Sequence, residues 1–67
     1  MAKTKNIIYY LRMQQGRTQR EVAKETGLTE NIVSKIENGN TTTLIGSLVA
    51  LAKYYGITVD DILYEKG

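Results

Sequence analysis

QREVAKETGLTENIVSKIEN, residues 19–38, reads as two short helices joined by the turn Thr26-Gly27-Leu28-Thr29. Each residue type at the joint has a physical reason. A small side chain at Ala23 lets the second helix come close to the first, and Gly27 tolerates the positive φ that a tight turn demands. Leu28 is placed to plug the turn from inside, while Val33 and Ile36 anchor the second helix by one apolar edge. The remaining face of that helix is polar: Glu30, Asn31, Ser34 and Lys35 fall on its solvent side.

The chain is punctuated in the same way throughout. Four glycines, Gly16, Gly27, Gly39 and Gly56, each follow a segment with helical periodicity, and Thr18, Thr29, Thr43 and Thr58 come shortly after them. Gly just past a helix end closes the last turn in the left-handed conformation, and Thr opens the next helix by accepting from its free N–H groups. Thr18 with Glu21 fits the reciprocal capping box. The spacing predicts helices near residues 5–15, 19–26, 30–38, 44–55 and 59–64, with no strand needed. Their apolar faces are Ile8 with Leu11, Val22 with Ala23, Val33 with Ile36, the row Leu44, Leu48, Leu51 and Tyr55, and Ile62 with Leu63.

Composition narrows the function. Sixty-seven residues allow one small domain and no separate catalytic lobe. The chain has no Cys and no His, so thiolate metal sites and imidazole acid-base chemistry are absent, and apart from Asp60-Asp61 its carboxylates stand singly. No catalysis, metal or cofactor is expected. Nine Lys and Arg against seven Asp and Glu give +2, compatible with a polyanionic partner without demanding one. The longest apolar run, Leu48 to Ala52, is far too short to cross a membrane, which points to a soluble cytoplasmic protein without a membrane partner.

The chain resembles the phage-repressor and Cro-like helix-turn-helix DNA-binding family over roughly Asn6 to Tyr64. The resemblance rests on Ile8, Leu11 and Arg12, then Thr18-Gln19, Val22-Ala23, Gly27, Thr29, Val33 and the block Ile36-Glu37-Asn38-Gly39. It continues through Leu48, Leu51-Ala52-Lys53, Gly56-Ile57-Thr58, Asp60 and Ile62-Leu63. It implies an all-α, compact five-helix, lambda-repressor-like domain spanning 1–67, with the helix-turn-helix at about 19–38. By the same resemblance, Gln19 bonds a phosphate at the N-terminus of the second helix. Asn31, Ser34 and Lys35, with Glu30, face base edges, where Asn suits adenine, Lys guanine and Glu the cytosine amine. Asn38, Asn40 and Thr41, Thr42 and Thr43 meet the DNA backbone through amide and hydroxyl donors.

Some positions depart from the family pattern. Arg17 stands where an apolar residue usually staples onto Val22, so its stem substitutes for the staple or its head reaches a phosphate. The loop after Gly39 lacks the usual Lys or Arg, which implies fewer ionic contacts. Ile32, near the groove-facing side, is suited to a thymine methyl. A carboxylate at Glu30 repels phosphate unless it pairs or finds a cytosine; a helix N-terminal charge favoured by the macrodipole is the plainer reading. Arg12 and Glu37 are read as a structural pair bridging the first helix to the end of the third. Thr26 is read as bonding back to its own helix. Tyr9, Tyr10, Tyr54 and Tyr55 are read as core edge or oligomer surface rather than base-stacking residues, because duplex DNA splays no bases out.

The expected function is sequence-specific binding of a double-stranded DNA operator, with the recognition helix in the major groove, and regulation of transcription. The alternative is a protein-interaction module on the same fold, antitoxin-like or a co-regulator. No small-molecule ligand is evident. A homodimer is expected, because one recognition helix buries little surface and two copies one DNA turn apart multiply affinity. Leu44, Val49, Tyr54, Ile57, Val59 and Tyr64 exceed what a small core covers, so the interface is expected at Ile57, Val59, Ile62, Leu63 and Tyr64, with helix 4 as a further contributor.

Overall fold

Local capping sets where each helix begins. The computed structural model describes residues 5–41 and 45–63 and contains five helices: α1 Ile7–Gln15, α2 Gln19–Thr26, α3 Glu30–Glu37, α4 Ile45–Tyr55 and α5 Val59–Leu63. Thr18 accepts from the Glu21 N–H at 3.0 Å while the Glu21 carboxylate accepts from the Thr18 N–H at 2.8 Å, completing the capping box. Thr58 and Asp61 repeat that reciprocal arrangement at α5, with both bonds at 3.1 Å. The Thr29 hydroxyl accepts from the Ile32 N–H and opens α3. Thr43 lies outside the described residues.

α1 starts at Ile7 rather than residue 5 because Asn6 is its cap: the side-chain oxygen of Asn6 accepts from the Ile8 N–H. α3 stops at Glu37, with Asn38 as the cap rather than the last helical residue. Gly16, Gly27, Gly39 and Gly56 all have positive φ. At Gly27, φ is 75°, and a Cβ added there would meet nothing within 4 Å. The requirement for Gly in this turn is therefore conformational, the left-handed backbone being costly for any side chain, and owes nothing to crowding.

The core takes one or more residues from every helix: Ile8, Val22, Ala23, Val33, Ile36, Leu48, Leu51, Ala52 and Ile62. α3 lies chiefly against α2 and also touches α1, so the recognition segment is held from two sides. Leu28 and Ile32 are half-buried against this core. The apolar edge of α3 thus engages part of Ile32, while Val33 and Ile36 are fully buried.

The interface position expected of Ile62 is corrected. At 1% exposure it belongs to the protein's own core and has no surface to offer a second copy. Ile57, Val59 and Leu63 are half-buried against the same core, and Leu44 and Tyr64 lie outside the described residues. The large apolar side chains that face solvent are elsewhere: Ile45 and Val49, one turn apart on α4, and Tyr10 and Met13 on α1. Among the described residues no helix is long and apolar enough to cross a membrane.

Candidate nucleic-acid interface

α3 divides into two faces. Val33, Ile36 and Glu37 are buried, whereas Glu30, Asn31 and Lys35 are exposed and Ser34 is half-buried. The exposed set is the one that the sequence marks for base edges, and it lies along one side of an anchored helix. Glu30 occupies the first turn, where the macrodipole favours a carboxylate. Beyond the helix, the backbone N–H of Gly39 donates to Ile36 and that of Asn40 to Lys35, folding the chain back over the end of α3. Asn38 and Asn40 are exposed there and Thr41 is half-buried; Thr42 and Thr43 lie outside the described residues.

A buried polar junction holds the base of this surface. Arg12 forks onto Glu37, with Nε donating to Oε2 at 2.6 Å and Nη2 to Oε1 at 3.1 Å, and its Nη1 donates to the Arg17 carbonyl at 2.8 Å. The hydrogen bond from Arg12 to Glu37 raises the pKa of the guanidinium above its ordinary value, with burial opposing it. Gln19 joins the junction, its Nε2 donating to Oε1 of Glu37 at 2.9 Å. The residue marked for a phosphate is thus oriented by an internal carboxylate, through one of the two N–H groups that its amide carries.

Arg17, expected either to staple onto Val22 through its stem or to reach a phosphate, is engaged within the chain by its head group. Its Nη1 donates to Glu25 at 2.9 Å, its Nε to Gln15 at 3.1 Å, and its guanidinium lies over the Tyr54 ring at 5.4 Å. The Tyr54 hydroxyl donates to the same Glu25 oxygen, and burial, followed by that hydrogen bond, raises its pKa. With a carboxylate and an aromatic face already satisfied, the Arg17 charge is held against α2 and α4. Thr26 bonds back to the carbonyls of Val22 and Ala23.

The tyrosines act as edge packing in two T-shaped pairs, Tyr9 with Tyr10 at 5.1 Å and Tyr54 with Tyr55 at 4.9 Å between centroids. Lys5 lies over Tyr9 and donates to Asn38 Oδ1 at 2.6 Å, tying the chain before α1 to the end of α3. Asn6 strengthens that tie. Its backbone N–H donates to the Glu37 carbonyl at 2.7 Å and its Nδ2 to the Ile62 carbonyl at 3.0 Å, so one buried residue links α1, α3 and α5. Sequence reasoning missed both residues, although an Asn just before an apolar run is a capping signal. It also missed Arg20, whose Nε lies 3.9 Å from Glu30 Oε1 across the gap between the N-termini of α2 and α3.

A helix-turn-helix family matches residues 8–62, from the core of α1 to the core of α5. The chain belongs to the helix-turn-helix family. Two curated relatives, both named HTH-type transcriptional regulator PuuR, from Escherichia coli (strain K12) and Shigella flexneri, are each 36% identical over 55 residues. That alignment covers 82% of this chain and 30% of each relative, so the chain spans under a third of the length of the relatives it matches. The family's two motif helices are α2 and α3, and its match includes the Arg12–Glu37–Gln19 junction as well as the polar face of α3.

Proposed function

We propose that this protein binds double-stranded DNA sequence-specifically, with α3 in the major groove, and regulates transcription without a catalytic step. The observation that carries this reading is the two-faced α3 inside a helix-turn-helix family match: an apolar edge buried in the core and Glu30, Asn31 and Lys35 turned outward. The relatives' naming as transcriptional regulators supports the regulatory part. Asn31 and Lys35 are the base readers, with Ser34 beside them; Gln19, Asn38, Asn40 and the Thr41–Thr43 stretch engage the backbone. On this reading residues 1–67 act as one DNA-binding domain in the cytoplasm.

The DNA-binding unit is a homodimer. The described residues measure 32 Å along their longest axis, so one copy covers about one half-site, and two are needed to read sites about 34 Å apart. Exposed Ile45 and Val49 support an interface that uses α4 with the half-buried Ile57, Val59 and Leu63, rather than Ile62. Selection of bound duplexes from a random pool, followed by footprinting, tests the reading. Enrichment of a twofold-related motif is the expected result, and no enrichment at low salt overturns it. Sedimentation as a monomer at high micromolar concentration would remove the dimer.

A further inference from the structure

Arg20 stands in the first turn of α2, next to Gln19, with its side chain 84% exposed. A cation there opposes the helix macrodipole, whose positive end is at the N-terminus. Lys24, exposed one turn along on the same face of α2, adds like-charge repulsion. Neither effect stabilises the fold. Its ion-pair partner is Glu30, and the 3.9 Å separation with both side chains exposed leaves the pair without a direct hydrogen bond. The local helix therefore gives no structural reason for a positive charge at this position.

Position supplies the reason. Arg20 and Glu30 line one concave surface with Arg12, Arg17, Thr18 and Gln19, between the N-termini of the two motif helices. Of the three arginines there, Arg12 is bound to Glu37 and Arg17 to Glu25, while among the described residues the one ion-pair partner of Arg20 is the distant Glu30. Glu30 meanwhile places a negative charge at the leading end of α3, where a DNA phosphate would be repelled.

We infer that Arg20 contacts a DNA phosphate, and that its charge lets Glu30 enter the groove as an acceptor for a base amine. The inference rests on the DNA-binding reading and adds a specificity pair to it. Glu30 alone would weaken binding to every duplex; next to Arg20 its repulsion is offset, and its cost is confined to sites lacking a cytosine amine within reach. Arg20 contributes sequence-independent affinity, and Glu30 spends part of it on discrimination.

The test measures wild type, Arg20→Ala, Glu30→Gln and the double variant on the duplex enriched by selection and on a scrambled duplex, over a fourfold salt range. Both residues are exposed, and circular dichroism checks that every variant folds. Arg20→Ala should lower affinity for both duplexes and make each bound subunit about 3.5-fold less sensitive to that rise in salt, the share of one phosphate. Glu30→Gln should tighten binding to the scrambled duplex, more so without Arg20 than with it, and relax preference at one base pair. An unchanged salt slope in Arg20→Ala, or an equal effect of Glu30→Gln in both backgrounds, overturns the pair while leaving DNA binding intact. Failure of the wild type to bind either duplex at low salt instead overturns the DNA-binding reading, and the pair with it.

Discussion

Two arginine–glutamate pairs of nearly equal length have different consequences. Arg12 and Glu37 meet at 2.6 Å with side chains 10% and 1% exposed; Arg17 and Glu25 meet at 2.9 Å with 40% and 48% exposed. Distance does not separate them. In the first pair each charge has lost its water, and stability depends on the fork, on the Arg17 carbonyl and on Gln19 completing the set. In the second, water competes for both partners, so the contact positions a charge without holding the fold together. The buried junction thus anchors the end of α3 to α1, and the exposed network holds the Arg17 charge beside Glu25 and Tyr54.

The largest expected effect comes from breaking the buried junction. Arg12→Ala leaves Glu37 stranded and should destabilise the protein by about 3 kcal/mol in urea unfolding. A double-mutant cycle with Glu37→Gln should give a coupling above about 1 kcal/mol, and no coupling would show that burial does not distinguish the two pairs. On the DNA side, Lys35→Ala should lose about 1–3 kcal/mol of binding to the best duplex and relax preference at one base position, with the melting transition little changed. A large loss of stability instead would make Lys35 part of the frame.

Smaller effects sharpen the contrast. Arg17→Ala should cost about 0–1 kcal/mol of stability and leave the salt slope of DNA binding unchanged, because its charge is engaged by Glu25 and Tyr54. A slope reduced by about one unit would mean that Arg17 abandons Glu25 for a phosphate. The smallest effect concerns Tyr55, whose Oη is buried with no hydrogen-bond partner among the described residues, and whose pKa burial pushes up to about 12. An unfolded tyrosine ionises near about 10. The stabilisation from keeping Tyr55 protonated is fully present below that value and is lost as pH rises towards the folded pKa, since the unfolded chain gives up its proton first. Tyr55→Phe should remove that part of the alkaline decline, and at neutral pH change stability by less than about 1 kcal/mol. An alkaline unfolding profile identical to wild type would count against a buried hydroxyl.

The five helices, the glycine stops, the threonine caps of α2, α3 and α5 and most of the core are legible in the sequence. All of these follow from interactions within about four residues, or from periodicity along one helix. Tertiary structure decided the partners of the long polar side chains and which apolar residues are left over. Arg17, Gln19 and Arg20 are near neighbours in the chain with similar local signals, yet one engages Glu25, one joins Glu37 and one faces outward toward Glu30. Ile62 and Ile45 are both isoleucines on helices, and only the packing of α5 against α4 and α1 buries the first and exposes the second. Asn6 carries three links because the end of α3 and the end of α5 converge on it from residues 31 and 56 positions away in the chain. Such pairings depend on where helices cross, and helix crossing is set by how whole apolar faces interlock, information that no short window of sequence contains.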